Sequence, residues 1–221
     1  MNIAGNINKY IAEIGSRNCR LVAISKTKPV SLILEAYQAG QRIFGENKVQ
    51  EMVDKQAQLP PDIEWHMVGH LQTNKVKYIT SFVDLIHSVD SLKLIREIDK
   101  QGNRHNKTIR CLLQVHIAEE ETKFGLSEDE LYNLMDVVSG SDLKHIKIVG
   151  LMGMATYTFD ETVIRKEFRN LKRILHSASR LYNNEKIDLK ELSIGMSGDY
   201  RIALEEGSTL IRIGTGIFGE R

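Results

Sequence analysis

The sequence predicts an α/β fold: a single (β/α)8 TIM-like barrel, with residues 1–221 as one domain. Three observations carry this. Short apolar runs of strand length alternate with longer stretches of helical period, the pattern of a parallel sheet. The runs number eight, which favours a closed barrel over an open doubly wound sheet. No linker, low-complexity tract or charge block divides the chain, and Pro60-Pro61 marks only a loop.

The first expected strand covers 21–25, where Leu-Val-Ala-Ile runs into the turn signal Lys26-Thr27-Lys28-Pro29. A helix over 31–39 leads to a strand over 42–44, and a helix over 46–56 follows. The third strand is 64–68 and the fourth 85–88. The helix over 91–101 carries Leu92, Ile95 and Ile98 at helical spacing. After a fifth strand at 109–116, the helix over 127–138 opens with Ser127 and has Glu130 three residues later, a capping box. A sixth strand at 147–151 precedes the helix over 162–182, which places Phe168, Leu171, Leu175 and Ala178 on one face. The seventh strand is 191–194. Ser197 is the expected N-cap of a helix running toward Glu205. The eighth strand is 210–213.

Composition narrows the function. Apolar residues at 42% and charged residues at 27% are ordinary for a globular protein. A net charge of +1 gives no field directed at nucleic acid or acidic membrane, and Lys144, Lys147 and Lys172-Arg173 are scattered rather than patched. No run approaches the ~18 apolar residues of a membrane span, and residues 1–14 lack a signal-peptide core. Cys19 and Cys111 have no metal-type spacing; they suit inert thiols in a reducing compartment. The expected location is the cytoplasm.

In such a barrel the chemistry belongs at the carboxyl ends of the strands. Lys26 sits at one of them. An amine that loses hydration there becomes nucleophilic and forms Schiff bases with carbonyls; the alternative is a lysine that ends a strand and snorkels to water. Six of the sixteen glycines lie between Gly195 and Gly219. Ser193–Asp199 follows the seventh strand and Arg212–Gly216 follows the eighth, the positions where these barrels often bind phosphate. Two ordinary glycine turns are the bland reading. Arg212 alternates with Ile211 and Ile213. It points either inward to a ligand or outward to a helix carboxylate.

His66 and His70 lie on or just after a strand, where four-residue spacing defines no ligand face, and no carboxylate or cysteine completes a metal site. His66 reads as a barrel-interior residue. Glu119-Glu120-Glu121 reads as a solvated loop.

Together these segments resemble the pyridoxal phosphate homeostasis protein family, whose fold is similar to the barrel domain of alanine racemase. The resemblance rests on Ala23–Pro29, Phe44–Glu51, Trp65–Lys75, Lys123-Phe124-Gly125, Gly150–Met154, Ser193–Asp199 and Arg212–Gly219. The family commonly has Tyr where this chain has Lys48. The resemblance implies an alanine racemase N-terminal-type barrel that binds pyridoxal 5'-phosphate (PLP) as a Schiff base on Lys26. It implies that Ser197, Gly214 and Thr215 hold the phosphate, that Arg212 faces the pyridine nitrogen, and that Asn47 lies near the cofactor. The function it implies is PLP homeostasis with little or no turnover, and PLP-dependent apoenzymes are the candidate protein partners.

An amino-acid racemase is the alternative. Racemases of this fold use a second acid–base group, typically a Tyr from an added C-terminal β domain and partner subunit. The chain has no length for that domain after the eighth strand, so a monomer without turnover is expected. A third reading, a sugar-phosphate enzyme using Lys26 as an aldolase-type amine, would keep the phosphate loops.

Overall fold

Eight parallel strands pair in chain order, and β8 returns to pair with β1, closing the barrel. This is a computed structural model, and it describes residues 2–119 and 124–220. The strands are β1 (Arg20–Ile24), β2 (Ile43–Glu46), β3 (Glu64–Met67), β4 (Val83–Val89), β5 (Ile109–Gln114), β6 (Ile146–Met152), β7 (Ile187–Ser193) and β8 (Leu210–Ile213). The helices are α1 (Ile3–Ile14), α2 (Val30–Gln38), α3 (Val49–Gln56), α4 (Leu92–Arg104), α5 (Glu128–Ser139), α6 (Glu161–Leu181), α7 (Tyr200–Glu205) and α8 (Thr215–Phe218), with a 3-10 helix over Thr73–Tyr78.

All eight expected strands are present; β8 has the expected bounds and the other seven shift at one or both ends. β2 extends through Glu46, and α3 starts only at Val49. The Glu46 carbonyl accepts from Val68 N–H at 2.9 Å, so the ladder claims a residue expected to open the helix. β5 stops at Gln114 because the loop returning through Leu126 takes over its pairing: Leu126 N–H donates to the Gln114 carbonyl at 2.8 Å. Ser127 and Glu130 form the expected capping box, and Phe168, Leu171, Leu175 and Ala178 are the buried face of α6. Ser197 does not cap α7. Asp199 holds the cap position, and its carboxylate accepts from Met196 N–H, which leaves Ser197 in the preceding turn. α1 was not expected, although Ile3, Ile7, Tyr10 and Ile14 recur at helical spacing and are its buried face. Glu119 is exposed, while Glu120 and Glu121 lie outside the described residues.

The period of two in each strand divides the core in two. Val22, Ile24, Ile43, Leu85, Leu112, Val149, Met152 and Leu210 fill the barrel interior. Their neighbours Ala23, Phe44, Ile86, Cys111, Ile148 and Ile211 join the larger cluster beneath the helices. Toward the amino ends, Arg20 pairs with Glu191 at 2.7 Å, and Glu191 also meets Arg110 at 3.5 Å. This charged layer lies toward the amino ends, with the apolar layer above it, and sites of barrels of this kind sit at the carboxyl ends of the strands.

Candidate functional site

Lys26 lies in the turn directly after β1, two residues beyond Ile24, which is packed in the barrel interior. It is half-buried, and its amine has no hydrogen-bond or ion-pair partner among the described residues. The flanking backbone is held firmly. Lys55 Nζ donates to the Ser25 carbonyl at 2.7 Å, to Glu46 Oε1 at 2.6 Å and to Glu51 Oε1 at 2.6 Å. Ser25 Oγ donates to Glu46 Oε1 at 2.6 Å. Thr27, whose φ of 63° lies in the left-handed region, gives its N–H to Glu51 Oε1. A β-branched residue adopts that conformation only when its surroundings impose it. Lys28 Nζ ties the same loop to the carbonyls of Gly219 and Glu220, at 3.0 and 2.8 Å.

Burial pushes the Glu46 carboxyl above its usual range, against the opposing hydrogen bonds from Lys55 and Ser25. Its Oε2 is fully buried and has no partner among the described residues.

Neighbouring strands bring the other expected residues to the same rim. Ser25 N–H donates to the Gly45 carbonyl at 3.0 Å, which sets half-buried Asn47 beside the Lys26 turn. Gly69 packs so closely on Asn47 that a Cβ there would lie 2.4 Å from the Asn47 carbonyl oxygen. On the other side, β1 and β8 pair Val22 with Arg212 and Ala23 with Ile213, so Gly214 lies against Ile24. Thr215 is exposed and opens α8, whose first backbone N–H groups have no intrahelical acceptor. A Cβ on Gly216 would come within 1.9 Å of the Tyr10 hydroxyl, so α1 fixes the position of α8. Ser197 is half-buried in the turn after β7.

Arg212 points inward and is only 5% exposed. Its Nη1 donates to the Ser193 carbonyl at 2.8 Å and to Ser193 Oγ at 2.6 Å; Nη2 donates to the Gly153 carbonyl at 3.1 Å. No described carboxylate forms an ion pair with it, and burial lowers its pKa to about 10 against the opposing field of the Asp199 carboxylate. Of its five N–H groups these contacts use three. Ser193 Oγ also meets His87 Nδ1 at 3.0 Å, and His87 Nε2 meets His66 Nδ1 at 3.0 Å. Burial lowers the pKa of both rings, His66 to about 3, so both are neutral at pH 7.

Lys26, Asn47, Arg212, Gly214, Thr215 and Ser197 thus lie at the ends of β1, β2, β8 and β7 on one face of the barrel. His66 is a barrel-interior residue, whereas His70 is half exposed, 3.7 Å from Asp90 and stacked on Phe124. Both cysteines are free; burial raises Cys19 to about 11 and pushes Cys111 up further. Sequence reasoning gave no role of their own to Glu46, Glu51, Lys55, His87 and Ser193, although Ser193 opens the segment read as a phosphate loop. For His87 and Ser193 a signal existed, since each alternates with outward apolar neighbours, Ile86 and Leu192. Lys55 joins the site through tertiary packing, which a strand pattern does not carry.

The site offers an uncommitted amine, backbone donors with a hydroxyl, and a guanidinium with spare N–H groups. That set suits a molecule carrying a carbonyl, an anionic group and a hydrogen-bond acceptor on a ring.

The model for the N-terminal domain of alanine racemase matches residues 1–221. The pyridoxal phosphate homeostasis protein of Aquifex aeolicus is 41% identical over 206 residues, covering 92% of this chain and 88% of that protein. The human protein of the same name is 36% identical over 212 residues, covering 91% of this chain and 76% of that one. PipY of Synechococcus elongatus PCC7942, solved with PLP bound, superposes with a TM-score of 0.89 at 34% identity, covering 98% of this chain and 100% of that one. Alanine racemase of Streptomyces lavendulae shares the fold at a TM-score of 0.82 and 15% identity, with 99% of this chain matching 57% of that chain.

Proposed function

The chain belongs to the pyridoxal phosphate homeostasis protein family, built on the alanine racemase N-terminal domain, and we propose that it holds PLP on Lys26 as a carrier rather than a catalyst. The observation that carries this reading is a half-buried amine with no described partner, at the open end of a barrel whose neighbouring strand supplies Arg212. The donor set fits the cofactor: Lys26 for the aldehyde carbon, Ser197, Gly214 and Thr215 for the phosphate, Arg212 for the ring nitrogen, and Asn47 beside the ring. Bound there, PLP would supply an electron sink for amino-acid chemistry. A permanently charged guanidinium at the ring nitrogen keeps that nitrogen unprotonated and weakens the sink. This suits storage better than turnover. The relatives are named for homeostasis and not for a reaction, and the Synechococcus relative was solved with PLP bound.

Among the described residues no helix is long and apolar enough to cross a membrane. Within this reading the protein is a cytoplasmic monomer, and PLP-dependent apoenzymes are the recipients.

Titration of the apoprotein with PLP tests the proposal. Uptake of one equivalent, with a visible absorbance band that Lys26→Ala abolishes, supports it. A protein that gains no band overturns it, and racemisation of alanine at enzyme-like rates would establish the racemase reading instead.

A further inference from the structure

The lumen of the barrel contains one continuous line of buried polar side chains, from His66 on β3 through His87 on β4 and Ser193 on β7 to Arg212 on β8. The charge of Arg212 selects its direction, because a buried cation favours dipoles whose acceptor ends face it. Arg212 can only donate, so Ser193 Oγ is the acceptor of that 2.6 Å contact. The Ser193 hydroxyl proton then needs an acceptor of its own, and His87 Nδ1 lies 3.0 Å away. A neutral His87 with a bare Nδ1 carries its proton on Nε2 and donates it to His66 Nδ1, also 3.0 Å away. His66 in turn carries its proton on Nε2.

Every dipole in this line presents its acceptor end toward the guanidinium. The line therefore does part of what a carboxylate would do for a buried cation, without cancelling its charge. It also fixes the Nη1 edge of Arg212, which leaves Nε–H and one Nη2–H uncommitted among the described residues. We infer that His66, His87 and Ser193 are positioning residues that aim the charged Arg212 at the ring nitrogen of the cofactor. This rests on the proposed PLP site and names what tunes it.

The test compares affinity for PLP with affinity for its deaza analogue, in which CH replaces the ring nitrogen. A charge-assisted hydrogen bond is worth about tenfold or more, so the intact protein should prefer PLP by at least about tenfold. Ser193→Ala and His87→Phe should bring that preference below about threefold while affinity for the analogue holds. His87→Gln, whose amide oxygen can accept the Ser193 proton, should restore it. Loss of affinity for both compounds in parallel, or an unchanged preference, would overturn the inference. A second measurement needs no variant and no cofactor. Nitrogen-15 NMR of the unliganded protein should show His66 and His87 neutral and protonated on Nε2 at pH 7. A proton on His87 Nδ1 would reverse the line and contradict the inference, even if the protein binds no PLP at all.

Discussion

The Lys55 ammonium donates to the Ser25 carbonyl at 2.7 Å, one residue before Lys26. The same ammonium meets Glu46 and Glu51, and Glu51 accepts the Thr27 N–H on the other side of Lys26. Helix α3 therefore clamps both peptide flanks of the proposed anchor. Lys55→Met removes the cation and leaves the Glu46 carboxylate, 0% exposed, with the Ser25 hydroxyl as its one remaining described partner. Breaking a buried pair from one side costs about 3–5 kcal/mol. The expected outcome is a lower midpoint in urea, and slower and weaker PLP uptake as the Thr27 backbone relaxes. Unchanged uptake in a protein that is still folded would mean that the clamp does not position Lys26.

The phosphate seat has a test that separates it from the amine. Ser197→Ala combined with Thr215→Ala removes two hydroxyls from the loops after β7 and β8. Affinity for PLP is expected to fall about tenfold, on the scale of one or two hydrogen bonds to an anion. Affinity for pyridoxal, which lacks the phosphate, should not change. Equal losses for both ligands would place the phosphate elsewhere.

α8 is held through Gly216. A methyl group there would sit 1.9 Å from the Tyr10 hydroxyl and 2.8 Å from Tyr10 Cζ. Gly216→Ala is expected to cost about 1–3 kcal/mol by overpacking and to weaken PLP binding by displacing Gly214 and Thr215. Adding Tyr10→Phe removes the closest atom and should recover part of both, as read by thermal melting and by PLP titration.

The strand count and the rim position of Lys26 were legible because strand-length apolar runs and a turn signal are local properties. The two-residue period left Arg212 facing either inward or outward, and only its packing against Ser193 and Gly153 turns it inward. The N-cap at Ser197 was misassigned because Ser and Asp both cap helices and sequence spacing does not say which turn closes first. Asp199 holds the cap position without a side-chain cap hydrogen bond, its carboxylate taking the Met196 N–H of the preceding turn instead. Glu46 read as a helix opener because acidic residues favour first turns; the β2–β3 ladder and Lys55 pull it into the strand instead. The clamp and the histidine line depend on side chains from β2 with α3 and from β3, β4, β7 and β8 meeting in space, which no local pattern encodes.

Stability should fall in mild acid. His66 has a folded pKa of about 3 against an ordinary 6.5, and His87 is also lowered. The unfolded chain therefore binds more protons than the native one in this range. The stabilisation from keeping these rings neutral is complete above about pH 6.5 and is lost progressively as the pH falls toward 3. The loss is on the order of several kcal/mol. Urea midpoints measured from pH 7 to 4 should fall steeply, and His66→Gln should flatten the slope. A slope unchanged in that variant would mean that His66 is not the titrating group.

The identity of the lysine that takes the cofactor is the most direct test of the proposed site. PLP-loaded protein reduced with borohydride, digested with trypsin and mapped by mass spectrometry should carry the pyridoxyl group on Lys26. Modification of Lys28 or Lys75, or of no lysine, would contradict it.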